Sequence, residues 1–201
     1  MRRFRDLLVL VGIGALVMTG APAPSAAAGP NEGPAWDVPG PGIGGTVLGD
    51  GLIVPGDRIG PVRLTMAIDE IIATVGRQFR RDVFPQEGII LYEWRSEGLW
   101  VSQTIASRAI RVISVFGTSD RYRTEKGVSL LETRARMEAA HGRDYREYRY
   151  PADRITLIRY HAVGLQFGLV NQPSNAAIHH RIFQIGIFKP GDLPPLRRPS
   201  N

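Results

Sequence analysis

Between residues 68 and 79 the large apolar residues Ile68, Ile71, Ile72, Val75 and Phe79 recur at i, i+3, i+4, i+7 and i+11. That spacing places them on one face of an α-helix, and such a face must be buried, here against a sheet. Asp69 and Glu70 put negative charge in the first turn, Thr65 stands where a cap belongs, and Gly76 follows as a glycine stop. Beyond it the pattern changes to alternating or β-branched runs over 89–95, 99–106 and 109–116, which predict three strands. A second helix is predicted from Thr133 to His141, ending at Gly142, followed by strands over 154–161, 164–170 and 178–188. Gly98 and Gly164 mark the tight turns between the first two strands of each set.

The two sets are copies. A gapless shift of 66 residues aligns 60–102 with 126–168 and leaves eleven of 43 pairs identical, among them Ala73/Ala139, Gly76/Gly142, Pro85/Pro151, Gly98/Gly164 and Leu99/Leu165. Other pairs keep their chemistry, including Ile71/Met137, Phe79/Tyr145 and Trp94/Tyr160. A six-residue insertion around Asn171–Asn175 then brings Ile113–Phe116 onto Ile185–Phe188. The predicted fold class is therefore α+β: two tandem modules, each a helix packed on a three-stranded antiparallel sheet, forming a shared sheet. The second helix has the poorer apolar face, because Arg134, Glu138 and His141 stand where Ile68, Ile72 and Val75 stand in the first. On that pattern the second module is the less stable, and Met137→Ala costs less than Ile71→Ala.

The ends differ from the middle. Met1–Arg5 is basic, Leu7–Met18 is a twelve-residue apolar run, and Ser25–Ala28 offers an A-x-A site. The run is shorter than the ~20 residues of a membrane-spanning helix and fits a signal peptide over 1–28, cut after Ala28. Residues 29–50 hold seven Gly and four Pro and read as a flexible linker. Module 1 is assigned to 51–117, module 2 to 118–189, and a disordered tail to 190–201. Removing the leader leaves 22 basic and 18 acidic residues, a net charge of +4, with Lys126 and Lys189 the only lysines. An exported chain of that charge meets anionic lipid, glycan or protein rather than nucleic acid. No transmembrane segment is expected in the mature protein. The absence of cysteine excludes disulfides, thiolate nucleophiles and Cys-ligated metals.

Residues 53–76, IVPGDRIGPVRLTMAIDEIIATVG, resemble the pattern that opens the modules of the SmpA/OmlA (BamE-type) envelope lipoproteins and the secreted β-lactamase inhibitory proteins. Gly60, Val62, Met66, Glu70, Ile71 and Gly76 carry the match, while Thr65 and Ala67 depart from it. The second copy keeps Val128 and Gly142 but has Leu131-Glu132 where the family has Gly-Met. The tandem arrangement is closer to the inhibitory proteins, and the resemblance implies a target bound on a concave sheet face. The lipobox cysteine of the lipoprotein branch is missing.

Catalytic chemistry finds no motif: HExxH, GxSxG and the P-loop are absent, and the glycine-rich run Gly40–Gly45 lacks the lysine and the following helix that a phosphate cradle requires, so no catalytic residue, metal ligand or cofactor is assigned. His141 ends a helix on its core-facing stripe, His161 reads as surface, and His179 and His180 on one strand would point to opposite faces. If Leu99/Leu165, Val101/Phe167 and Trp94/Tyr160 face the helices, then Trp100, Glu93, Arg95, Arg159, His161 and Gln166 point away. An exposed Trp among charged groups has the composition of an interface centre, so these six form the candidate partner-binding set. The expected function is an exported, non-catalytic binding module that engages an envelope or secreted protein through this face. The alternatives are binding of an anionic envelope surface by Arg143, Arg146, Arg149 and Arg154, or a small hydrolase.

Overall fold

The computed structural model describes residues 48–117, 120–150 and 154–192. Helices α1 (Ile68–Val75) and α2 (Arg134–His141) have eight residues each. Short strands β1 (Leu52–Val54), β2 (Arg58–Ile59), β3 (Val62–Arg63) and β8 (Arg123–Thr124) form a four-stranded sheet in the order β3-β2-β1-β8. The remaining strands are β4 (Arg80–Phe84), β5 (Ile89–Trp94), β6 (Leu99–Thr104), β7 (Ile110–Phe116), β9 (Arg146–Tyr150), β10 (Ile155–Tyr160), β11 (Leu165–Val170) and β12 (Ile182–Phe188). They build one eight-stranded sheet, β4-β5-β6-β7-β12-β11-β10-β9, in which every neighbour is antiparallel.

This corrects the expected α+β class of two helix-on-three-strand modules. The described chain is mostly β, with twelve strands in two sheets and two short helices. Each half adds a fourth strand, β4 or β9, that hydrophobic alternation could not reveal. Their sequences, RRDVF and REYRY, are those of charged sheet edges, which discourage pairing with another chain. The second sheet comes from two- and three-residue strands, too short to show a period.

The repeat shift maps element onto element. Adding 66 carries the bounds of α1, β4, β5 and β6 onto those of α2, β9, β10 and β11, and adding 72 carries β7 onto β12. The two inner strands, β7 and β12, pair Val115 with Ile185 and Ile113 with Ile187, so the sheet runs unbroken between the halves.

One face of this sheet carries the core. Trp94, Leu99, Val101, Ile113, Val115, Ile185, Ile187, Leu165 and Phe167 are each almost wholly buried. Cross-strand pairs such as Leu99↔Val115 and Leu165↔Ile187 put them on the same side. Ile71 of α1 and Met137 of α2, both 0% exposed, belong to the same cluster. Each helix end is tied to the sheet in the same way. Trp94 Nε1 donates to the Gly76 carbonyl at 2.8 Å, and the Tyr160 hydroxyl donates to the Gly142 carbonyl at 2.8 Å.

The helix starts differ. Thr133 caps α2, its hydroxyl accepting from Arg136 N at 3.2 Å. The cap position of α1 is Ala67 rather than Thr65, and the Glu70 carboxylate accepts from Ala67 N at 2.7 Å.

Gly164 and Gly142 separate two demands on glycine. Gly142 ends α2 at φ +80° with nothing within 4 Å of where a Cβ would stand, so alanine adds backbone strain only. Gly164 turns at φ +71°, and its Cβ would collide with the Phe188 carbonyl while its own carbonyl accepts from Phe188 N at 3.0 Å. Gly142→Ala is expected to cost about 1 kcal/mol and Gly164→Ala about 2–4 kcal/mol, read by urea unfolding. Equal losses would show that the turn has room to shift.

The leader 1–28, linker residues 29–47 and tail residues 193–201 lie outside the described residues. The described end of the linker is built in: Leu48 is 8% exposed, and the Asp50 carboxylate accepts from Arg58 at 3.0 Å. At the other end Gly191 N donates to the His161 carbonyl at 3.0 Å. No helix among the described residues is long and apolar enough to cross a membrane.

Candidate partner-binding face

Because side chains alternate along a strand, the face opposite the helices is set by the residues between the core positions. Register then aligns one residue from each of the eight strands: Arg80, Glu93, Trp100, Ser114, Gly186, Gln166, Arg159 and Arg146. With strands about 4.8 Å apart, the row is roughly 34 Å long. Glu93, Trp100, Gln166 and Arg159 of the sequence-derived set thus lie in one line. Arg95 and His161 follow two residues after Glu93 and Arg159, on the same side.

The row is more closed than its composition suggested. Trp100 is 9% exposed, not open to solvent: its ring packs 4.4 Å from that of Phe116, and its buried indole N–H has no acceptor among the described residues. Gln166 and Arg159 are each 5% exposed, with Arg159 Nε donating to Gln166 Oε1 at 3.2 Å. Gly186 is glycine for lack of space, since a Cβ there would stand 2.5 Å from Ser114 Oγ and 2.8 Å from Gln166 Nε2. Arg95 is half-exposed and pairs with Glu93 at 3.4 Å.

Arg159 sits between two rings, its guanidinium carbon 5.8 Å from the centroids of both Tyr148 and Phe188. Burial pushes its pKa down, and the charge of Arg111 adds to that. His161 is half-buried rather than at the surface. Its Nε2 lies 3.3 Å from the Tyr148 hydroxyl, and its ring meets Phe188 edge-on at 5.8 Å. Burial, then Arg146 and Arg159, hold His161 below the ordinary histidine value.

Phe116, Tyr148 and Phe188 complete this face, and none was in the sequence-derived set. The signal was there for Phe116, which stands two residues after Ser114 and so shares its side of β7. Phe188 is its equivalent in the second copy.

The other histidines pack on neighbours of their own. His141 Nε2 lies 3.2 Å from Thr124 Oγ1, and burial, with Lys126 nearby, pushes its pKa down to about 4. His179 and His180 precede β12 rather than lying on it, and their rings stack at 3.8 Å instead of pointing to opposite faces. Among the described residues no group of three or more His, Asp and Glu could hold a metal ion. Comparisons with protein-family models, characterised proteins and solved structures find no match to this chain.

Proposed function

We propose that this protein is an exported, non-catalytic binding module that engages an envelope or secreted protein through the sheet face opposite its helices. The observation that carries the reading is the single cross-strand row holding Glu93, Trp100, Gln166 and Arg159, flanked by the rings of Phe116, Tyr148 and Phe188. A continuous face of aromatics and arginine is the composition that carries binding energy in protein interfaces. The SmpA/OmlA and inhibitory-protein resemblance of residues 53–76 supports the same reading, as does the leader, with cleavage after Ala28.

The anionic-surface alternative draws less support. Arg143 is paired with Glu138 at 2.9 Å and Arg149 with Glu147 at 2.5 Å, so carboxylates offset two of the four charges that an extended anionic surface would meet, although the Nη groups of Arg149 keep their donors.

The test uses the exported protein, its mass checked for a chain beginning at Gly29, as bait in envelope extract at low and high salt. A partner retained at high salt, and weakened about tenfold or more by Arg95→Glu, or by Trp100→Phe, which keeps a ring against Phe116, in variants that keep the parent melting temperature, is the expected result. Capture that vanishes at high salt would favour the anionic surface. Capture unchanged by both variants would remove the sheet face from the reading.

A further inference from the structure

The duplication supplies an internal control for one region of the second copy. In the first, Ile68, Ile72, Phe79 and Ile90 pack along the seam between α1 and the sheet. The equivalent residues of the second are Arg134, Glu138, Tyr145 and Thr156. An apolar seam has become polar at four matched positions. The connection over it has also grown, from five residues between β6 and β7 to eleven between β11 and β12. That longer segment is pinned to the start of α2, with Arg134 N donating to the His180 carbonyl at 3.0 Å. His180 itself is held at φ +61°, a conformation that favours glycine.

Against this segment lies a half-open pocket of about 180 Å³, whose walls include Arg134, Glu147, Thr156, His179 and His180, with Arg149, 70% exposed, at its mouth. Its charged side chains are two arginines and one glutamate, while Asn171, also in the wall, can donate or accept. Both Glu147 oxygens are taken, Oε2 by Arg134 Nη2 at 2.7 Å and Oε1 by Arg149 Nε at 2.5 Å. Glu138 is likewise occupied, accepting from Arg134 Nε at 2.8 Å and the Tyr145 hydroxyl at 2.6 Å through Oε1 and from Arg143 Nε at 2.9 Å through Oε2. No hydrogen bond among the described residues uses Arg134 Nη1, the two Nη groups of Arg149 or the Thr156 hydroxyl. Thr156 is nevertheless only 3% exposed. Two guanidinium groups in the wall face a single carboxylate, which already accepts from both, so a ligand that brings negative charge and acceptors is favoured here.

We propose that this cavity binds a small oxyanion, a carboxylate or a phosphate, clamped by Arg134 and Arg149 with Thr156 donating from the floor. At ~30 Å³ per water, its volume suits an inorganic ion or an acid of a few carbons and is below the range of nucleotide-sized pockets. Replacing an apolar seam by ion pairs brings little stability on its own, which is why the change points to a ligand. The site lies on the helix side of the sheet and stands independently of the partner-binding reading. Burial and the charges of His179, Arg134 and Arg149 hold His180 below the ordinary histidine value, with Glu147 opposing them. A bound anion would raise it, which gives a readout inside the cavity.

The experiment follows the imidazole NMR signals of His179 and His180 in the full chain during titration with acetate, succinate and inorganic phosphate, with chloride at matched ionic strength. Saturation by ~50 mM of a carboxylate or of phosphate, with the His180 pKa moving up, supports the site, and the arm that saturates identifies the source. Arg149→Ala is expected to weaken that binding about tenfold. The variant R134I/E138I/T156I, which installs first-copy residues, is expected to melt like the parent and to give no saturable response. A linear drift equal to that in chloride, in every arm, would overturn the proposal, as would saturation that survives in the triple variant.

Discussion

Met137→Ala is expected to cost as much as Ile71→Ala, about 2–5 kcal/mol for either. Each is the buried residue of an eight-residue helix, each is 0% exposed, and the repeat shift places one on the other. The sequence pattern argues for a cheaper loss at Met137, because Arg134, Glu138 and His141 replace three apolar neighbours. The structure removes that inequality. Those side chains do not uncover Met137: Arg134 bonds Glu138, Tyr145 and Glu147, while His141 stands on the rings of Tyr160 and Phe167 at 5.7 and 5.4 Å. Together they close over Met137 as fully as isoleucine and valine close over Ile71. Truncating either residue therefore removes buried methylenes and leaves a cavity under a cover that is already bonded in place. Urea unfolding of both variants beside the parent, at constant m, is the measurement. A loss at Met137 below half of that at Ile71 would show the second seam to be loose.

What the sequence made readable was local. The helical period of Ile68 to Phe79, the glycines after each helix and the 66-residue shift all reflect constraints between near neighbours in the chain. The structure repeats them in its element bounds. The missed features depend on partners distant in sequence. Strands β4 and β9 lie at sheet edges, where Arg81, Arg146 and Arg149 are exposed rather than packed in a core, so no apolar alternation marks them. The four-stranded sheet joins Leu52–Val54 to Arg123–Thr124, a pairing across some seventy residues that two- and three-residue strands cannot advertise. The fold class was misjudged because these unmarked strands outnumber what the two short helices contribute.

The candidate face was readable in direction but not in exposure. Once Leu99 and Leu165 are assigned to the core, alternation alone turns Trp100 and Gln166 the other way, and the register agrees. Burial of Trp100 could not be read in that manner. It comes from Phe116, a neighbour on another strand at 4.4 Å. The same holds for Arg159, whose cover of Tyr148 and Phe188 arrives from β9 and β12. The cavity beside α2 was hidden for a third reason. Ile68/Arg134 and Ile72/Glu138 read in sequence as a weaker apolar stripe, and only packing shows that the polar residues bond one another.

Glu138→Ala is expected to cost about 2–4 kcal/mol, the second large loss, although the same change at an exposed glutamate would be nearly neutral. Glu138 is only 12% exposed at its side chain and accepts from Arg134, Tyr145 and Arg143 at 2.6–2.9 Å. Removing it leaves Arg134, itself 23% exposed, with one carboxylate instead of two. The Arg134 hydrogen bond, then that of Tyr145, pulls the Glu138 pKa from 4.5 down to about 2. A depressed carboxylate contributes stability that is complete above its unfolded pKa and is lost as pH falls through the folded one. The parent should therefore lose this contribution between pH 4.5 and 2, and the alanine variant, lacking it already, should show a shallower acid limb. The paired change R134I/E138I restores the residues of the first copy and removes both charges together. A half-buried pair replaced by packed isoleucines leaves no charge stranded, so the double variant should unfold within about 1 kcal/mol of the parent or above it. Urea unfolding at neutral pH and again near pH 3 separates the outcomes. A single variant as stable as the parent, or a double variant as weak as the single one, would show that the polar seam is not coupled as its geometry requires.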